Sequence, residues 1–375
     1  MSETTDSPRL LTTHEGSLKD PTTLRSPRTR LETRATRLSM IVFVLTAIIV
    51  AIIMRGERLP LGGAGSLGAL AAWPAAIASG FGFAVAYLLD SRGPRLQWRR
   101  GLPWLKRFVD LTALVASVAL IANIAVHAVF QVFQLGFIGL TIDPIAGAAL
   151  AGAAVSTCAY FAVIIGDEVT TVLVVGLVVT GLFTGTLAAM IQSPEATWWQ
   201  FHFSMLGNGT GAAGYQFNLS LVVTGLLLTT LANFVGRDVE VGLTLRGVPA
   251  HRRITILTWE FAAIGLCMMV VGLVPDAVNF PVHVSGGAGM VVAFVAFFLT
   301  LLRLVPGLPR DFIATSFTVI AAIVGAIVLW VPIGYYNLTG METVAAGLLF
   351  AWLFLLARTT QAYAEAPRRV GPRDA

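Results

Sequence analysis

The chain has 375 residues, of which 56% are hydrophobic and only 12% are charged, and its mean hydropathy is +0.79. Soluble domains carry about 25% charged residues, so this composition excludes an ordinary soluble protein and indicates a polytopic membrane protein. The net charge of +5 comes from 25 basic against 20 acidic residues. In a membrane protein such an excess reports on topology, so we expect no nucleic-acid partner.

The polar residues 1–37 precede the first apolar run and are rich in Ser, Thr, Pro and Arg. A segment of this composition cannot bury enough apolar surface to fold, which predicts a disordered tail. Its seven basic residues have two interpretations, a topology signal or a segment that contacts anionic lipids or a partner. A second, shorter tail is predicted at residues 364–375.

The chain between the tails contains ten apolar runs, each close to the roughly 20 residues that a helix needs to cross a bilayer. They predict an all-α bundle of about ten transmembrane helices, at residues 38–54, 66–89, 108–133, 146–165, 169–191, 215–235, 254–274, 282–304, 312–333 and 341–363. The Gly and Ala residues at 147–154, 181–185 and 286–289 predict close contacts between these helices.

The basic residues are distributed unevenly over the connections between these runs. In a ten-span arrangement 23 of the 25 lie on one side, and only Arg55 and Arg58 lie on the other. Basic residues concentrate in cytoplasmic loops, so we predict that both termini are cytoplasmic. A nine-span arrangement would distribute the basic residues over both sides of the membrane. We expect a multi-pass protein of the bacterial plasma membrane.

The connection between the fifth and sixth runs differs from the rest of the chain. It reads WWQFHFSMLGNGTGAAGYQFN, from Trp198 to Asn218. Gly209 to Gly214 matches the G-x-G-x-x-G dinucleotide motif, but no strand precedes it, which argues against that chemistry. We predict instead that residues 195–206 lie along the outer membrane interface as a short helix and that residues 207–214 fold back. The aromatic belt would consist of Trp198, Trp199, Phe201 and Phe203.

The polar side chains expected at this outer face are candidates for headgroup binding: His202, Ser204, Asn208, Asn218 and His283. A sharper hypothesis is a metal site, in which His127, His202 and His283, or Asp276, hold a zinc ion with an open position for water. No H-x-x-x-H or H-E-x-x-H spacing is present, and the alternative is a set of separate histidines that bond to neighbours or water. We predict no cofactor.

The acidic residues within the predicted helices are few. Asp110 follows Lys106 and Arg107 at helical spacing, which predicts ion pairing. Glu260 is expected to pair with Arg252 or Arg253 or to reach back to water, and the alternative is a part in a proton or substrate path. Neither lies near the middle of the bilayer, which argues against a proton-coupled pump. The sequence has no G-x-S-x-G elbow and no recognisable triad, so a non-enzymatic role is favoured.

Three short motifs carry a family resemblance: Phe203-Ser-Met-Leu-Gly207 followed by Phe217-Asn218, Val271-Gly-Leu-Val-Pro275, and His283 in Pro281-Val-His-Val-Ser-Gly-Gly. Through them residues 169–363 resemble an uncharacterised bacterial six-helix membrane family related to the Frag/DRAM/Sfk group. The resemblance implies four N-terminal helices (38–165) followed by a six-helix domain (166–363), and no established enzymatic activity. It also implies an outer cap built from Ser204, Gly207, Phe217, Asn218 and His283.

We therefore expect a non-enzymatic membrane protein that binds or organises lipid, or an envelope precursor, at its extracytoplasmic face. The expected partners are membrane lipids and other membrane proteins. Two alternatives stay open: a transporter or lipid flippase, which needs a polar path through the bundle, and a metal-dependent lipid hydrolase, which needs the outer histidines to meet.

Overall fold

The computed structural model describes residues 27–91, 93, 96–209 and 211–365. Residues 1–26 of the predicted disordered segment and residues 366–375 of the predicted C-terminal tail fall outside this range. The described chain is helical, with α1 (Pro27–Met54), α2 (Leu67–Asp90), α3 (Trp104–Gly136), α4 (Pro144–Asp167), α5 (Thr171–Gln192), α6 (Ala212–Leu245), α7 (His251–Leu273), α8 (Asp276–Leu304), α9 (Arg310–Trp330) and α10 (Leu338–Ala364).

The prediction of an all-α bundle with ten candidate membrane spans is confirmed, because all ten helices are long and apolar enough to cross a bilayer. The remaining regular structure in the described residues is one pair of two-residue antiparallel strands, β1 (Leu59–Pro60) and β2 (Thr141–Ile142), and three short 3-10 helices. The two strands join the α1–α2 connection to the α3–α4 connection.

Helix α1 begins at Pro27, well before the predicted start at residue 38, so residues 27–37 are helical and not a disordered tail. The physical reason is tertiary packing. Ala35 is fully buried in a small cluster with Ala86 of α2 and Val163 of α4, and Leu31 and Leu38 pack against it. One helical face of this polar segment is therefore apolar enough to be held against its neighbours.

Several helices begin at a side chain that caps free backbone N–H groups. Ser66, Thr170 and Asn337 accept such hydrogen bonds at the starts of α2, α5 and α10. Asp143 does the same for α4, and the hydrogen bonds from the backbone of Ala146 and Ile145 hold the pKa of its carboxyl below the usual value. These caps explain why the connections can be short.

Two apolar cores share α2 and α3. One lies among α1 to α4, and the larger one extends from α2 and α3 through α5 to α10. The central helix α6 crosses α7 at Gly225, where a Cβ atom would lie 2.6 Å from the carbonyl oxygen of Gly265. A side chain at this crossing would force the two helices apart.

The predicted small-residue contacts are present in part. A Cβ atom on Gly152 would lie 3.0 Å from the carbonyl oxygen of Phe43, and one on Gly286 would lie 2.9 Å from Val271, so both glycines mark close helix approaches. Gly181 is different, because its nearest neighbour, Ile121, would be at an ordinary 3.9 Å.

The up-and-down course of the helices gives the bundle two distinct ends. We call the end that carries connection 193–211 the cap end; there Asn337 Nδ2 donates to the carbonyl oxygen of Trp199 at 2.7 Å. We call the opposite end the basic end; there Arg246 donates to the carbonyl oxygen of Tyr363 at 2.9 Å and Arg253 to that of Leu304 at 2.6 Å.

Candidate functional site

The connection 193–211, which we call the cap segment, folds as two 3-10 helices, Trp198–Gln200 and Phe203–Asn208. The prediction of one short helix over 195–206 is therefore wrong in detail, because the backbone breaks at Phe201 (φ −103°, ψ −88°). The chain folds back before α6, where the backbones of Gly209 and Gly214 approach each other closely. A Cβ atom on Gly214 would collide with the backbone of Gly209, so the chain can turn this tightly only with glycine at position 214.

The four predicted interface aromatics divide into two pairs. Trp199 and Phe201 are 52% and 53% exposed, which suits contact with a membrane interface. Trp198 and Phe203 are partly buried, and their rings pack with centroids 5.5 Å apart. The cap segment thus presents two aromatic side chains outward and uses two to hold itself in place.

The cap segment is anchored to the bundle by apolar packing and by backbone hydrogen bonds. Leu206 is 2% exposed and packs in a small core with Phe217, Leu221 and Val271. The predicted ligand residue Asn218 donates from Nδ2 to the carbonyl oxygen of Gly207 at 2.9 Å. Its amide therefore has a structural role.

Further hydrogen bonds attach the cap segment to α8 and α10. Asn208 Oδ1 accepts from the backbone N–H of Ala277 at 3.3 Å. Glu342 Oε2 accepts from the backbone N–H of Phe203 at 2.9 Å. Glu342 was not among the candidate residues of the sequence, since it lies 139 positions from its partner and nothing in its local pattern indicates the contact.

His202 contacts Asp276, the first residue of α8. The distance between His202 Nε2 and Asp276 Oδ2 is 3.3 Å, and the side chains are 25% and 9% exposed. The second carboxylate oxygen of Asp276, Oδ1, is buried and has no hydrogen-bond partner among the described residues. A buried carboxylate oxygen is costly to leave unpaired, so this atom is suited to accept from a ligand or water.

His283 of α8 contacts the cap segment through one ring nitrogen and the α7–α8 connection through the other. Its Nε2 lies 2.8 Å from Ser204 Oγ, and its Nδ1 lies 2.9 Å from the carbonyl oxygen of Val274. A carbonyl oxygen can only accept, so in the neutral ring Nδ1 carries the proton and Nε2 accepts from the serine hydroxyl. Sequence reasoning selected Ser204 and His283 separately but did not pair them.

The local shape of α8 places His283 at this point. Asn279 has non-helical dihedral angles (φ −154°, ψ 92°) that break the helix after its first turn. Its Oδ1 accepts from the backbone N–H of Val282 at 3.2 Å, so Asn279 caps the longer part of the helix, and Pro281 fits this new first turn. His283 therefore lies in the first turns of a restarted helix, beside the cap segment.

The structure does not assemble the hypothetical metal set of His127, His202, His283 and Asp276. Among the described residues, no three or more His, Cys, Asp or Glu side chains are placed to hold one metal ion. His202 and Asp276 do meet, but both ring nitrogens of His283 have protein partners. The geometry favours the alternative of histidines bonded to their neighbours.

The basic end contains a second polar cluster, centred on Asp110. Its carboxylate accepts from Arg99 at 3.2 Å and from Asn233 at 3.0 Å. The partner is thus Arg99 and not the predicted Lys106 or Arg107. The two charged side chains are 6% and 1% exposed, and the Arg99 guanidinium lies 4.7 Å from the centre of the Tyr87 ring.

A cavity of about 420 Å³ opens beside this ion pair, and its lining includes Arg99, Arg100, Arg107, Trp104 and Phe108. On α7, the hydrogen-bond partner of Glu260 also differs from the predicted one. Its Oε1 accepts from Thr300 at 2.9 Å, where pairing with Arg252 or Arg253 was expected.

Comparisons with family models, with curated proteins and with solved structures find no match for this chain. The resemblance to the six-helix family related to the Frag/DRAM/Sfk group therefore stays a prediction. Functional inference rests on the geometry of the two ends of the bundle.

Proposed function

We propose that this protein binds lipid headgroups, or the headgroup of an envelope precursor, at its cap end. The observation that carries the proposal is Asp276, whose buried Oδ1 has no partner while His202 holds Oδ2. The exposed rings of Trp199 and Phe201 lie on the same segment as His202. An aromatic surface near a buried acceptor that lacks a protein partner fits the boundary between acyl chains and headgroups.

The charges of the cap end favour one class of headgroup. Asp276 and Glu342 bring two carboxylates to the cap segment, and the basic side chains that accompany them are His202 and His283. A carboxylate oxygen accepts hydrogen bonds and attracts cations, so we expect a headgroup with ammonium or hydroxyl donors.

The proposed setting is the bacterial plasma membrane, with both termini cytoplasmic and the cap end outside. This orientation is supported by the uneven distribution of basic residues: of the Lys and Arg residues that the structure describes, only Arg55 and Arg58 belong to the cap end. The proposed relationship to six-helix membrane proteins of the Frag/DRAM/Sfk group is compatible with this setting.

The test uses the full chain in nanodiscs of equal parts phosphatidylethanolamine, phosphatidylglycerol and phosphatidylcholine, followed by native mass spectrometry of bound lipids. We expect phosphatidylethanolamine and phosphatidylglycerol, which carry donors, to be enriched over phosphatidylcholine, whose choline has none. Asp276→Ala should reduce this preference about tenfold or more, as expected for a hydrogen bond to a charged group.

Glu195→Ala is the matched control, because Glu195 is an exposed carboxylate of the cap segment that bonds to Thr197. It should leave the lipid preference unchanged. Equal lipid profiles for the wild type and Asp276→Ala would refute the proposed headgroup site.

A further inference from the structure

The contact between Ser204 and His283 has a chemical consequence beyond binding. We propose that these two residues form a nucleophile–base pair that transfers the acyl group of a lipid ester. The proposal rests on the proposed function for the delivery of lipid to the cap end. It adds a covalent step that does not involve a metal ion, and it departs from the non-enzymatic role expected from the sequence.

The tautomer of His283 is the first argument. Because the carbonyl oxygen of Val274 accepts from Nδ1 at 2.9 Å, the lone pair of Nε2 points to Ser204 Oγ at 2.8 Å. A serine hydroxyl is a weak nucleophile unless a base takes its proton, and a base needs a third group to orient it. Here a backbone carbonyl takes the orienting place that a carboxylate takes in the Ser-His-Asp triad.

The electrostatic surroundings are the second argument. When His283 takes the serine proton it becomes a cation, which a nearby carboxylate stabilises. Glu342 Oε2 accepts from the backbone N–H of Phe203 at 2.9 Å, which brings a carboxylate to the residue next to Ser204. The serine, the histidine and the carboxylate thus come from the cap segment, α8 and α10.

The third argument is the position of the site at the membrane interface, which indicates the class of substrate. Ser204 is partly exposed, three residues from the exposed ring of Phe201. On α8, Phe280 and Val284 flank His283 and are 63% and 46% exposed, which provides an apolar face for acyl chains. Aromatic side chains mark the level where headgroups meet hydrocarbon, and the ester carbonyls of glycerolipids lie at that level.

The proposed reaction has two steps. Ser204 Oγ attacks the carbonyl carbon of the ester while its proton passes to His283 Nε2. That proton then goes to the leaving alkoxide, so an acyl-serine and a free alcohol form. In the second step His283 takes a proton from water or from a second alcohol, whose oxygen attacks the carbonyl carbon of the acyl-serine. The bond between that carbon and Ser204 Oγ then breaks, His283 returns the proton to Oγ, and a carboxylic acid or a new ester leaves.

The first experiment treats the full chain, in phosphatidylethanolamine and phosphatidylglycerol nanodiscs, with an alkyl fluorophosphonate, whose phosphorus takes the serine oxygen as fluoride leaves. Mass spectrometry should find the adduct on Ser204. Ser204→Ala should remove it, and Ser285→Ala, an exposed serine on α8 that donates to Pro281, should not. His283→Gln should slow labelling about 100-fold or more, the usual contribution of a general base.

A second pair of variants keeps the test decisive if His283→Gln folds poorly. Ser204→Cys should react with iodoacetamide faster than Ser285→Cys, although Ser285 is more exposed, because His283 withdraws the thiol proton only at position 204. Absence of a Ser204 adduct in the folded wild type, or a slower reaction of Ser204→Cys, would overturn the proposal.

The lipid preference of the wild type, measured in the three-lipid nanodiscs, separates the two proposals. A preference for donor headgroups without a Ser204 adduct refutes acyl transfer and supports binding. An adduct without that preference supports the nucleophile–base pair and refutes the headgroup site.

Discussion

The two ends of the bundle bury polar groups in different ways. At the basic end, Arg99 and Asp110 form an ion pair that is almost fully enclosed and to which Asn233 adds a hydrogen bond, while Arg99 Nε is buried without a partner among the described residues. At the cap end, His202 and Ser204 are partly exposed, and one oxygen of Asp276 has no partner among the described residues. An enclosed pair of full charges fixes helices in place, whereas partly exposed polar pairs can exchange a protein partner for a ligand. We therefore propose a structural role for the basic end and a binding role for the cap end.

The largest effect on folding is expected at the basic end. Asp110→Ala should destabilise the protein by about 3–5 kcal/mol, because it leaves the Arg99 charge buried without its partner. The measurement is chemical unfolding in detergent micelles. The double variant Arg99→Met/Asp110→Leu should recover most of the loss.

A matched control for this variant is Arg237→Ala, since Arg237 and Glu240 form an exposed pair at 3.8 Å. It should cost less than about 1 kcal/mol, as surface ion pairs do. If Asp110→Ala is no more destabilising than Arg237→Ala, the enclosed pair at the basic end is not a structural anchor.

At the cap end, Leu206→Ala should cost about 2–5 kcal/mol, because it creates a cavity where this side chain meets Phe217 and Val271. Lipid preference should weaken with it, since the cap segment loses its apolar anchor. Leu135→Ala, at a site on α3 that is 69% exposed, is the control and should change neither quantity. Unchanged lipid preference in a destabilised Leu206→Ala variant would separate the cap segment from binding.

Asn218→Ala should have a smaller effect, about 1–3 kcal/mol, because the carbonyl oxygen of Gly207 loses its donor. Hydrogen exchange should rise within residues 203–208, and the α6 segment near Leu231 should keep its protection. An equal rise in both regions would mean that Asn218 supports the whole bundle and not the cap segment.

The smallest effect concerns pH at the start of α4. The backbone hydrogen bonds lower the pKa of Asp143. The charged cap therefore contributes its full stability above the ordinary aspartate pKa of about 3.9, and this stability is lost as the pH falls through the lowered pKa. The protection factor of the Ala146 amide in hydrogen exchange should therefore fall at low pH. Asp143→Asn, which caps without a charge, should remove that dependence, and a persistent dependence would point to another group.

The sequence predicted what depends on local composition, and missed what depends on distant contacts. Ten apolar runs correspond to ten helices because each run is long enough by itself to cross a bilayer. The helical start of α1 was missed because Ala35 is buried only through contacts with α2 and α4. Charge spacing along one helix likewise could not identify Arg99, which lies in the connection before α3, as the partner of Asp110.

The candidate site shows the same division between features set by local composition and features set by distant contacts. Composition selected the cap segment, and the residue types of His202, Ser204 and His283 marked them as polar groups at one end of the bundle. The pairing of Ser204 with His283 spans 79 positions, and no spacing rule connects them. It arises because Asn279 breaks α8 and restarts it beside the cap segment.

The most direct test of a lipid site at the cap end is site-specific photo-crosslinking in the same three-lipid nanodiscs. One sample carries p-benzoylphenylalanine in place of Phe201 in the cap segment. The other carries it in place of Phe183 on α5, which is 60% exposed. We predict that the adducts at position 201 are enriched in phosphatidylethanolamine and phosphatidylglycerol and that the adducts at position 183 follow the bulk lipid composition. The same adduct distribution at both positions would contradict a lipid site at the cap end.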